Sequence, residues 1–143
     1  MKNHALSYGF LLLIASLVMA PVGHAANVPD LLFPDPVDTL DNGCVSLKSG
    51  IFWTFVWSDV PNATAYHLRV MGANAINPVI DNPNIRTPEF VSKSFGSYIA
   101  NQNRLGWRWQ VRAKVAGQWG NWSDVRQFNV EPLDTDCRSQ SSI

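Results

Sequence analysis

Two tryptophans three residues apart, in Trp119-Gly120-Asn121-Trp122-Ser123, follow a run in which basic side chains recur at alternate positions: Arg108, Arg112 and Lys114. The chemistry this pairing offers is stacking. A guanidinium over an indole face is worth about 0.5–2 kcal/mol, depending on how dry the contact is. Arg108 and Arg112 are the expected partners of Trp119 and Trp122, with Arg126 a further candidate. Two readings follow. The cluster is a ladder that stiffens a hairpin, or it is a binding platform, since Trp and Arg dominate interface hot spots and an exposed indole stacks on sugar rings. On the second reading Trp119, Trp122, Arg108 and Arg112 are the binding residues.

Catalytic chemistry is poorly supplied. Beyond residue 25 the chain has one histidine, His67, and two glutamates, Glu89 and Glu131. It lacks a Gly-x-Ser-x-Gly elbow and a glycine-rich phosphate loop, and a glycosidase would need two carboxyls across a cleft. His67 alternates with inward residues and is expected to be a solvated strand histidine beside Arg69. Asp30, Asp35, Asp38 and Asp41 could offer oxygens to calcium. Pro29, Pro34 and Pro36 among them instead predict an extended, solvated linker. The expectation is no enzyme, no cofactor and no metal.

The first 25 of the 143 residues have the layout of a secretory leader. Lys2 supplies the basic start, Tyr8 to Met19 the apolar run, and Gly23 and Ala25 the small residues before a cleavage site. The apolar run is too short for a bilayer that needs roughly 20 residues, so no membrane span is expected and the product is exported, periplasmic or secreted. Without Lys2, ten basic residues face eleven acidic ones. Such neutrality leaves no field to gather nucleic acid. In an oxidising compartment the two cysteines, Cys44 and Cys137, read as one disulfide worth about 2–4 kcal/mol. A zinc site would need more ligands than His67 adds, and two free thiols are the remaining alternative.

The elements that must position these residues are strands. Short alternating runs separated by Pro, Gly, Asn and Asp, with no helical stripe, predict an all-β sandwich. Ile51 to Trp57 is the first clear strand, apolar on both faces, with Phe52 and Val56 outward. Tyr66, Leu68 and Val70 point inward on the next. Prolines 78, 83 and 88 reduce the middle to edge strands at Val79–Asp81, Glu89–Ser92 and Phe95–Ala100. Trp107, Trp109, Val111 and Ala113 face the core of a long strand, Ala116-Gly117 makes a tight turn, and a strand from Ser123 to Val130 puts Val125, Phe128 and Val130 near the core.

Trp57, then Tyr66-x-Leu68-x-Val70, then Leu105-x-Trp107-x-Trp109-x-Val111-x-Ala113 resembles the fibronectin type III pattern across residues 34 to 131. The run from Trp107 through Gly117, Trp119 and Phe128 is similar to the final hairpin of bacterial extracellular members, and Trp119 to Ser123 resembles the Trp-Ser-x-Trp-Ser box with Gly120 in place of the first Ser. The resemblance implies a seven-stranded antiparallel immunoglobulin-like sandwich in which the Tyr66 and Trp107 strands face each other across the core. It implies that Cys44 and Cys137 lie at one end. It also implies that Trp107, standing where the family has a Tyr, lacks the corner hydroxyl and must find another partner or stay apolar. Residues 26–40 are then a linker or first strand, and 132–143 a tail carrying Cys137. The function expected is a non-catalytic module contacting a protein or polysaccharide. The alternative is a structural or assembly component of the cell envelope, using sheet edges or the outward Phe52 and Val56.

Overall fold

The computed structural model describes residues 27–94 and 96–134. The leader and its cleavage site, Phe95 and Cys137 lie outside the described residues. Within them the chain forms β1 (Leu31–Phe33), β2 (Thr39–Leu40), β3 (Ile51–Trp57), β4 (Ala63–Met71), β5 (Ile80–Ile85), β6 (Glu89–Ser94), β7 (Trp107–Val115), β8 (Gln118–Trp119) and β9 (Arg126–Val130), with one 3-10 turn at Asn101–Asn103. Two sheets pack face to face. The smaller has the order β1-β3-β6 and the larger β2-β9-β7-β4-β5, with β8 added to β7.

The core is built by alternation. β3 turns Ile51, Trp53, Phe55 and Trp57 inward, and β7 does the same with Trp107, Trp109, Val111 and Ala113. Their rings meet edge to face or tilted across the sandwich. Trp53 lies 5.1 Å from Trp107 and 5.3 Å from Phe128, while Phe55 lies 5.2 Å from Trp109. Such contacts add roughly 0.5–1.5 kcal/mol each to the burial of the rings. Tyr66 meets Trp57 edge to face at 5.5 Å, accepts the Val60 N–H and donates to Asp59, which anchors the β3–β4 turn. Burial pushes the Tyr66 phenol above its ordinary value, and the bond to Asp59 adds to the rise.

Several expectations are corrected. Nine strands form among the described residues, and the larger sheet is mixed, because β2 runs parallel to β9. The proline-rich start, expected as a linker or first strand, gives one short strand to each sheet, crossing between them at residues 34–38. The Tyr66 and Trp107 strands do not face each other across the core. β4 and β7 pair side by side, Leu68 opposite Val111, and β3 is what faces them. No strand forms over the described part of 95–100, where Gly96 takes a positive φ of 70°. Val125 stays 57% exposed because β9 begins one residue later, and Leu105 is exposed as well. Trp107 donates its indole N–H to the Asn103 carbonyl at 2.7 Å, the partner that replaces the corner hydroxyl.

Candidate functional site

The outer face of the larger sheet carries the Trp–Arg cluster. β7 and β8 form a hairpin through Ala116 and Gly117, whose φ values of 49° and 79° give the two-residue turn that matches strand twist. Trp119 pairs with Lys114. Beyond it the chain leaves regular pairing but stays against β7: Gly120 N–H reaches the Ala113 carbonyl and Ser123 N–H the Val111 carbonyl. Ser123 Oγ accepts the Val111 N–H in return at 3.1 Å, so the buried serine replaces a strand neighbour there. Gly120 eases this close approach. A Cβ on it would come 3.3 Å from the Asn27 carbonyl oxygen and 3.4 Å from that of Ala113.

The irregular step brings both indoles to one face, where three cations meet them. The Arg112 guanidinium carbon is 5.0 Å from the Trp119 ring and 4.4 Å from Trp122. Lys114 Nζ lies 5.5 Å from Trp119, and the Arg69 guanidinium 4.8 Å from Trp122. Lys114, Arg112 and the Arg69–Gln110 pair succeed one another along the sheet. Each indole therefore has two cations close to its ring. Arg112 is the one cation close to both rings among the described contacts. Arg108 is not over either ring among the described contacts; with Arg69, Met71 and Val125 it lines a hollow one step further on. Arg126 is directed elsewhere, donating to the Pro34 carbonyl and standing 3.8 Å from Asp35.

His67 sits beneath the ladder. It is on the outward face as expected, yet only 7% exposed, because Trp119 and Trp122 cover it with ring centres 5.5 and 4.8 Å away. The solvated reading is therefore corrected. Arg112 Nη2 donates to His67 Nδ1 at 3.1 Å. A guanidinium has only donors, so Nδ1 is the acceptor and Nε2 carries the hydrogen that it gives to Asp81. That bond holds the Asp81 carboxyl below its ordinary range. Partial burial opposes the shift, and the charge of Arg69, 3.5 Å away, reinforces it. Both ring nitrogens are engaged, which leaves no lone pair to serve as a general base.

Arg69, Lys114, His67 and Ser123 are the members that the sequence reading left out. Arg69 was legible as an outward residue between Leu68 and Val70, and Lys114 as the last cation of its row. No family model matches the chain, and no curated protein matches it in sequence.

Proposed function

We propose that this chain is an exported, non-catalytic sandwich module of the fibronectin type III kind that contacts another protein through the outer face of its smaller sheet. The observation that carries this reading is a set of partly exposed apolar side chains on that face, Phe33 and Val91 among them. Phe33 pairs with Val56, Thr54 with Val91 and Phe52 with Lys93 on that face. Phe33, Phe52 and Val91 are 40%, 38% and 42% exposed. Contiguous apolar surface on one face of a sheet marks contact sites in soluble domains. The ladder favours protein over polysaccharide as partner, because each indole already has two cations within 4.4–5.5 Å of its ring to compete with a sugar. Trp119, Trp122 and Arg112 then stiffen the hairpin rather than bind.

Support for the family comes from the division of strands, with β1, β3 and β6 in one sheet and β4, β7 and β9 in the other. Support for a Cys44–Cys137 disulfide comes from the pairing of Cys44 with Asp134, three residues before Cys137. Export rests on the leader.

The test pairs two sets of variants. Phe33→Ser and Val56→Lys should abolish saturable crosslinking to a partner from the exported fraction while leaving the melting temperature within a few degrees. Trp119→Ala should lower the melting temperature by several degrees, through loss of about 1–2 kcal/mol of cation–π and packing energy, and leave crosslinking intact. If Trp119→Ala removes partner contact at unchanged stability, the ladder is the site and the proposal fails.

A further inference from the structure

Among the described residues the two sheet paths end in four edge strands, of which three are blunted, and β8, off the path, has only two residues. β1 has three residues, an irregular register and Pro34 immediately after it. β2 has two residues. β5 carries Pro83 and a register shift against β4. β6 differs: it has six residues, neither proline nor glycine, and an unbroken register with β3 from Ser94 to Glu89. A regular, unprotected edge is a template for another strand.

The direction of its free groups follows from one bond. Trp57 N–H donates to the Pro88 carbonyl, which makes 57–88 a hydrogen-bonded pair. Such pairs recur at every second residue of an antiparallel ladder. Phe90, Ser92 and Ser94 therefore bond to β3, while Glu89, Val91 and Lys93 direct their N–H and C=O groups at the open edge. Among the described residues the one bond to these groups from outside β3 is from Thr87 Oγ1 to the Glu89 carbonyl, at 3.3 Å.

We infer that β6 pairs antiparallel with β6 of a second copy of this chain, in the register that sets Val91 opposite Val91. That register aligns the three residues with free edge groups, giving roughly six hydrogen bonds. It also sets Glu89 of each copy opposite Lys93 of the other, on the same face of the sheet. Lysine on an edge ordinarily repels a second strand; here the two-fold axis turns it into an ion pair made twice. The two smaller sheets merge into one of six strands, β1-β3-β6-β6-β3-β1. A joint of one strand pair is far below a standard interface of about 800 Å² per partner, so a dissociation constant on the order of 10–100 µM is expected.

This inference rests on backbone and charge and is independent of the partner-binding reading. Sedimentation of the full exported chain over a wide concentration range should show reversible dimers. Glu89→Lys alone and Lys93→Glu alone should each weaken dimerisation about tenfold or more, because like charges then stand opposite. An equimolar mixture of the two variants should form heterodimers, and the double exchange should restore the parent affinity. A chain that stays monomeric to millimolar concentration, or single variants that dimerise like the parent and show no preference for each other, would overturn the inference. Neither result would touch the crosslinking test of the apolar face.

Discussion

His67 can accept from Arg112 only while Nδ1 is unprotonated, and it donates to Asp81 through Nε2. The imidazole thus links the carboxylate of β5 to the guanidinium of β7 under a lid of two indoles. Asp81 makes this arrangement sensitive to acid. Its folded value is lowered from an ordinary 3.8, so its ionised form favours the folded state above that pH. The contribution is lost as pH falls through the lowered folded value. Melting temperatures measured between about pH 5 and 2 should fall less steeply for Asp81→Asn than for the parent. Asp81 is 43% exposed, so the effect is modest and shrinks in salt.

At the scale of elements, the β7–β8 hairpin is held by a turn whose first residue is suboptimal. Ala116 takes a φ of 49°, a region that asparagine tolerates better than alanine. Ala116→Asn should raise stability by about 0.5–1 kcal/mol, visible as a few degrees in thermal melts. This hairpin also shows where sequence reading works and where it stops. β7 is legible because aromatic and aliphatic groups recur with a strict period of two, and β3 because its unbroken run of β-branched and aromatic residues is bounded by Gly50 and the turn at residues 59–62. β5 was only partly legible, since Pro83 interrupts its pattern. The ladder was harder. In a regular strand residues three apart point to opposite faces, so Trp119 and Trp122 should not meet the same arginine. They do because Gly120 and Asn121 break the pleat, and Arg112 lies between them. Arg69 could not be read as a ring partner for a related reason: alternation tells which side a residue faces but not which neighbouring strand lies closest.

At the scale of the whole molecule, segments far apart in sequence are tied by Asn42, a residue no motif marks. Its buried amide donates to the carbonyls of Ile99 and Glu131 and accepts the Ile99 N–H. It thereby joins the chain after β2 to the loop before β7 and to the residue after β9. Asn42→Ala should destabilise the fold by about 2–3 kcal/mol, measured by urea unfolding, because it leaves three backbone groups unsatisfied. The parallel course of β2 beside β9 has a mechanical consequence. Bonds from Val37 to Gln127, Asn129 to Asp38, Glu131 to Leu40 and Val45 to Asp134 run in sequence along it. Tension drawn through the flanking chain at both ends pulls these two segments lengthwise past each other. Every rung then bears load at once instead of parting one by one, and the sandwich resists stretching far better than a hairpin peeled from its tip.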